Sequence, residues 1–494
     1  MNWPLLPPSS ETIRLGRVGP FGLLRYHIPV KDRITHFYCI GTTGQGKSKF
    51  LETLIVSDIL AGRGCGLVDP HTDLARDTLA HLLSEGYFKS EAQRQRVIYF
   101  DPTRIDYAIP FNVLKTPTTP YALAQQVIEA FRRTWPQSLE EAPRFTNIAL
   151  ASLLVLIETG RSLIDMAELL TSKSLREQLL AQVHDPQLID FFHMRFDQWG
   201  REGPLMIEST LNKVSAFSFN PYLKHILGAS NNRLDFRAIM DSGQVLIVDL
   251  GNCDGETRRL VGSLVVTGME QAALSRKDQT SGRRPFYLFM DEFQDFCAGD
   301  GAAKTLAQIL SECRKFGLHL HLAHQTLGQV QQRVSSALGN VGIKVVFSVD
   351  REDAEVMAKK LFAVDTDEIK HDAQTETQHP LFSPIAEQWE RSTAAIQDLP
   401  PRTAMIKRRG HGVIKVQTED IRAYQVGSEA VMELMRDLAR RHGEPVQSSP
   451  AAQELPRPEP AKVEINDWEP VEISPLPAVT PRPSSGIIFA SQSK

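Results

Sequence analysis

At 494 residues, 42% hydrophobic and 23% charged, the chain has an ordinary globular composition with room for two or three domains and a sizeable core. Its longest apolar run, residues 149–157, is far too short to span a membrane; Pro4, Pro7 and Pro8 preclude a secretory signal, and five scattered cysteines without a C-x-x-C pair indicate neither a disulfide framework nor a zinc site. With neither span nor signal, a cytoplasmic protein is expected; the formal net charge of −4 argues against binding nucleic acid through an all-over basic surface and leaves a local basic channel open.

Residues 1–34 have space for only a short β element, over about 12–30. The apolar run His36, Phe37, Tyr38, Cys39 then leads into Ile40, Gly41, Thr42, Thr43, Gly44, Gln45, Gly46, Lys47 and Ser48, and Phe50, Leu51, Leu54 and Ile55 follow at helical spacing. Strand, glycine turn, helix is the context a P-loop requires, and a chain of this length would match the pattern by accident only about once in fifty. Gly41, Gly44 and Gly46 let the backbone turn its N–H groups, those of Thr42, Thr43 and Gln45 among them, toward phosphate oxygens. Lys47 supplies a point charge between β and γ phosphates, and the Ser48 hydroxyl ligates Mg2+. The chain is therefore expected to bind a nucleoside triphosphate.

Continuous apolar runs ending in turn or acidic residues recur at 66–69, 97–101, 245–249, 286–291, 319–322 and 345–348. Runs without alternation predict strands covered on both faces, and the helical stretches between several of them predict a doubly wound, mostly parallel sheet of the α/β class. From about 120 to 232 no strand-like run stands out; helical patterns cover 123–135, 145–158, 163–183, 188–199 and 205–217. The expected organisation is a core over 35–117 and 233–426 with an all-α subdomain, 118–232, that leaves after Phe111-Asn112 and returns at Leu234-Asp235-Phe236. A closing hairpin is predicted over 403–407 and 413–417. A helix follows over 427–443, with Ser428 as its N-cap and Gly443 as its stop. From 444 to 494 prolines recur every few residues, which predicts a disordered tail ending in the apolar cluster Ile487, Ile488, Phe489, Ala490.

A P-loop needs an acid at the end of a core strand to hold Mg2+ through water, and hydrolysis needs a base for the attacking water. Asp291 and Glu292, directly after the run 286–290, supply the two in that order. Asp69 and Asp101 also end strands, where tuning of the site and capping of the next turn are both open. His319 and His321 share a strand face with no further ligands nearby and are expected to be packed residues.

Downstream, Ser311-Glu312-Cys313-Arg314-Lys315-Phe316-Gly317-Leu318 precedes the strand that ends in His324-Gln325. Read with the P-loop, the Asp291-Glu292 pair and Asp69-Pro70-His71, this segment resembles the FtsK/HerA superfamily of hexameric DNA-pumping ATPases with a RecA-like P-loop NTPase core. Within that group the inserted helices resemble those of the conjugative coupling proteins of type IV secretion, and the likeness as a whole covers roughly residues 11–443. The resemblance implies that Arg314 is a finger reaching a neighbouring subunit's nucleotide and that Gln325 senses the γ-phosphate. It implies ATP and Mg2+ as cofactors and a homohexamer as the working form. Related sequences carry glycine where Thr72 stands, many begin with membrane helices, and HerA-type proteins add an N-terminal β-barrel for which too few residues precede Gly41.

If DNA threads such a ring, phosphate contacts come from loops facing the axis. The loop 251–259 with Arg258 and Arg259, and the loop 297–304 with Lys304, qualify. The leading expectation is an ATP-driven DNA translocase. The others are a coupling ATPase that hands protein or nucleoprotein to a secretion or conjugation machine, with recruitment to the inner membrane by partners, and a regulatory NTP-binding ring with an effector protein.

Overall fold

An apolar run with no polar alternation leaves a strand no face for water, and six such runs become strands of one sheet in the computed structural model. The model describes residues 11–19, 22–116, 118–139, 142–279, 282–296, 306, 309–330, 332–371, 381–419 and 424–446. The predicted tail beyond 446 with its cluster at 487–490, and the loop 297–304 with Lys304, lie outside them.

The strands are β1 Thr12–Val18, β2 Leu24–Pro29, β3 Phe37–Ile40, β4 Gly64–Asp69, β5 Val97–Phe100, β6 Tyr107–Ala108, β7 Val245–Asp249 and β8 Phe286–Met290, followed by β9 Leu318–His324, β10 Ile343–Val346, β11 Ile369–His371, β12 Leu381–Phe382, β13 Thr403–Arg408, β14 Val413–Gln417 and β15 Glu444–Pro445. Eleven of them form one sheet in the order β2-β1-β14-β13-β10-β3-β9-β8-β4-β7-β5. From β10 to β5 every pairing is parallel, and from β10 out to β2 every pairing is antiparallel. The sheet is thus doubly wound and mostly parallel, as expected.

Successive residues of each central strand feed opposite cores. Tyr38, Ile40, Leu288, Met290, Leu320 and Leu322 join one, and Phe37, Cys39, Tyr287, Phe289 and Ala323 the other. The second core is closed by α1, Lys47–Leu60, and by the helices Asp73–Ser84 and Ser428–His442. The first is closed by the helix Gly255–Ser275 and by the helices of the 118–232 segment. That segment leaves and rejoins the sheet region at one antiparallel bridge, Phe111 to Asn232, flanked by bonds from Phe111 N to Ile226 O and from Arg233 N to Pro110 O. Its helices begin where proline fits the first turn, as at Pro120, Pro143, Pro204 and Pro221.

Local structure departs from the expected elements in four places, the first being 188–199, where an α-turn Pro186–Asp190 passes into a π turn Phe191–Phe196 and a 3-10 stretch Asp197–Glu202 kinked at Gly200. The helix expected over 163–183 breaks at Ser172, whose hydroxyl accepts from Leu175 N and starts a second helix, Lys173–Leu180. Ser428 is the first helical residue rather than the cap; Gly427 takes the cap position without a side-chain bond. The first residues of the Pro-rich segment are ordered: Glu444 and Pro445 pair with Ala108 and Tyr107, and Val446 N donates to Asp106 O.

The strand histidines are packed. Arg33, fully buried, makes two 2.7 Å bonds to Asp58, stacks 4.0 Å from the Tyr287 ring centre and donates its Nε to His321 Nε2 at 3.0 Å. Burial first, then Arg33, holds His321 well below its ordinary pKa; burial takes His319 down to about 3. No group of three metal-ligating side chains occurs among the described residues.

Candidate active site

The loop after β3 turns because two of its glycines sit where other residues are strained. Gly44 has φ 80° and Gly46 φ 102°, and no atom lies within 4 Å of where a Gly44 Cβ would be. Gly41 is required for a different reason: a Cβ there would stand 2.5 Å from Phe347 Cβ. Thr42 N and Oγ1 both donate to Ser348 O at the end of β10 (2.9 and 3.2 Å), which anchors the start of the loop. Gln45 O accepts from Arg402 N at 2.8 Å, and Arg402, held at φ 60°, lies against Gly46. The loop thus opens α1 with open space beside Gly44 and backbone N–H groups at a helix N-terminus, the polarity an anion needs. Buried Lys47 folds back onto the loop, donating its Nζ to Gly41 O at 2.5 Å and Thr42 O at 3.3 Å.

Strand order positions the acids. β9 lies between β3 and β8, so the end of β8 stands two strand spacings, about 10 Å, from the P-loop strand. Ser48 Oγ donates to Asp291 Oδ2 at 2.9 Å, which brings two hard oxygen donors together as Mg2+ requires. Burial pushes the Asp291 carboxyl above the usual carboxylate range, Ser48 opposing and Glu292 reinforcing the rise. Glu292 follows in a left-handed conformation, φ 43°, costing on the order of 1–3 kcal/mol.

The residue after β9 falls between the two halves of the site, and there Gln325 joins them. Thr43 Oγ1 donates to Gln325 Oε1 at 2.9 Å, and Gln325 Nε2 donates to Glu292 Oε1 at 2.7 Å. The other Glu292 oxygen accepts from Gln294 Nε2 at 2.7 Å. A continuous hydrogen-bonded line therefore runs from the P-loop to the acid pair. Sequence reasoning missed Thr43 and Gln294 as partners in that line.

The neighbouring strand ends are structural caps. Asp69, pushed up to about 6 by burial, accepts from His71 N and Ala75 N, and Asp101 accepts from Thr103 N and Oγ1. Thr72 adopts φ 71°, a conformation suited to glycine, and its Oγ1 donates to Asp249 Oδ1 at 2.7 Å. It fits because Gly251 leaves room: a Cβ there would stand 2.0 Å from Thr72 Oγ1.

Other expected site residues lie elsewhere. Arg314 is exposed in the turn Cys313–Phe316, before β9 begins, so the seven-residue strand, about 20 Å, separates it from its own Gln325. Arg258 is half-buried with Nη2 on Cys253 O at 3.2 Å, and Arg259 beside it is exposed at the start of the helix Gly255–Ser275. Among the described residues no helix is long and apolar enough to cross a membrane.

Sheet order, glycine loop and strand-end acids together define a P-loop NTPase fold. No protein-family profile matches the sequence, and no curated protein is significantly similar to it. Solved structures do match. The bacterial conjugative coupling protein TrwBdeltaN70 superposes with a TM-score of 0.57 at 19% identity, over 83% of this chain and 91% of that one. The plasmid coupling protein TrwB in complex with ADP and Mg2+ gives 0.57 at 17% identity over the same shares. VirB4 of Thermoanaerobacter pseudethanolicus gives 0.54 at 13% identity, over 84% of this chain and 98% of that one. This chain shares the fold of TrwB and VirB4, in line with the resemblance to type IV secretion ATPases.

Proposed function

We propose that this chain is an ATPase of the coupling-protein kind, assembling as a homohexameric ring that hydrolyses ATP between subunits and moves DNA through its centre. The observation that carries the reading is the bonded line Thr43, Gln325, Glu292 beside the Ser48–Asp291 pair, at the strand ends of a fold whose TrwB neighbours are solved with ADP and Mg2+.

Bound at Ser48 and, through water, at Asp291, Mg2+ would neutralise phosphate charge. Lys47 leaves the carbonyls of Gly41 and Thr42 for the phosphates, and the N–H groups of Thr42 to Ser48 orient them. Glu292 accepts a proton from the attacking water. Its two amide partners hold it away from that task until Gln325 turns toward a γ-phosphate. Arg314 serves a neighbour's site, since its own is a strand length away. Arg258, Arg259 and Lys304 contact DNA phosphates, and the 118–232 helices form a subdomain over the channel mouth.

Steady-state ATP hydrolysis, with Lys47→Ala as control, measured with single- and double-stranded DNA over a protein concentration series, tests this. DNA stimulation that steepens with concentration is expected. Hydrolysis indifferent to DNA would shift the reading to a docking ATPase that serves a secretion partner.

A further inference from the structure

The outer strands β14, β1 and β2 leave one face to solvent, and its composition is one-sided. In the β1–β2 ladder Arg14 stands opposite His27 and Arg17 opposite Arg25; Gln417 of β14 pairs with Arg17, which puts Lys415, two residues earlier, on the same face. Arg17, Arg25, His27 and Lys415 are exposed. Like charges directly opposite each other cost a ladder stability, yet Arg17 faces Arg25. Among the described residues Glu419 is the acid set against them, bridging Arg14 and, at 3.5 Å, Arg17. Burial and the adjacent arginines lower the pKa of both Arg14 and His27, as a crowded cationic surface would.

Where β2 begins, two large apolar side chains stand in water. Leu23 and Leu24 are 76% and 64% exposed, while Ile13, Leu15 and Ile28 already fill the hairpin's core side. Two adjacent leucines in water where β2 starts, with arginines one rung behind and Arg14 and His27 about 7–10 Å further back, match the depth of a bilayer's interfacial layer.

We infer that the β1–β2 hairpin docks on an anionic membrane surface, the leucines entering the acyl boundary and the arginine face meeting lipid phosphates. A nucleic acid would use the cations but give the leucines nothing, whereas an anionic bilayer engages both. The inference goes beyond the ATPase reading: it supplies direct lipid contact to a chain in which no described helix crosses a membrane.

Flotation of the full chain with vesicles of phosphatidylcholine alone, and of phosphatidylcholine mixed with phosphatidylglycerol, tests it. Binding to the mixed vesicles only is expected, weakened about tenfold or more by Arg17→Gln with Arg25→Gln, and likewise by Leu23→Ser with Leu24→Ser. Melting temperature should not fall and lipid-free ATP hydrolysis should not change in either variant, so a failure here is distinct from a failure of the ATPase reading. No binding to anionic vesicles, or binding indifferent to both variants, would overturn it. So would an arginine variant that loses DNA binding while the leucine variant floats normally, which assigns the face to nucleic acid. Lost self-association in the leucine variant would assign that end of β2 to a second copy of the chain.

Discussion

Glu292 combines a strained backbone with a carboxylate held on both oxygens, an arrangement that under the proposed function stores the base out of use. Glu292→Gln should therefore keep nucleotide affinity nearly unchanged while turnover falls about 100-fold or more, read by nucleotide titration beside steady-state hydrolysis; undiminished hydrolysis would place the base elsewhere. Thr72 makes a second residue-scale test. Thr72→Gly loses the bond to Asp249 but relieves the positive φ, whereas Thr72→Ala loses the bond and keeps the strain, so the alanine variant should be less stable by about 1 kcal/mol in thermal unfolding. The glycine turn from Gly41 to Ser48 and the strand-end places of Asp291 and Glu292 were legible in the sequence because a strand, glycine turn, helix order and an apolar run ended by acids are local patterns. The Thr43–Gln325 and Thr72–Asp249 bonds join residues 282 and 177 positions apart, and no local pattern encodes such pairs.

Between elements, the buried pair Arg133–Glu270 links the helix Pro120–Thr134 to the helix Gly255–Ser275 at 3.4 Å. Burial pushes the Glu270 carboxyl up from 4.5 to about 7, with Arg133 pulling the other way. The folded chain then binds this proton more tightly than the unfolded one. Its contribution costs nothing below pH 4.5, grows between 4.5 and 7, and is complete above, so stability falls as pH rises through that window. Glu270→Gln should flatten the fall by on the order of 1–3 kcal/mol, followed as melting temperature against pH; identical slopes in both proteins would refute it. Strands were the most legible elements, since runs such as 245–248 and 286–290 are apolar throughout and permit no exposed face. Helix boundaries were less so. Ser172 interrupts a stretch whose apolar spacing continues on both sides, and periodicity alone registers the spacing but not the cap.

For the whole molecule, the distance between Arg314 and its own Gln325 makes a subunit incomplete if the arginine serves hydrolysis. Arg314→Ala subunits mixed into wild-type rings should then depress hydrolysis beyond their own share, measured across mixing ratios; a strictly proportional loss would argue against action on a neighbour. The sheet and its helical excursion were legible as a plan, but the bridge that closes the excursion was not, because Phe111 and Asn232 meet only in three dimensions. That bridge has a consequence for how such a protein can be altered. The two chain ends of the excursion lie one β-bridge apart, about 5 Å, so a short turn could rejoin them without shifting any strand of the sheet. The floor is another matter: Leu260, Leu264 and Val265 on the helix Gly255–Ser275 are buried in the core the excursion helps close. The segment is therefore exchangeable in its connections but not in its footprint, and a transplanted replacement would succeed only if it brought an apolar underside of its own.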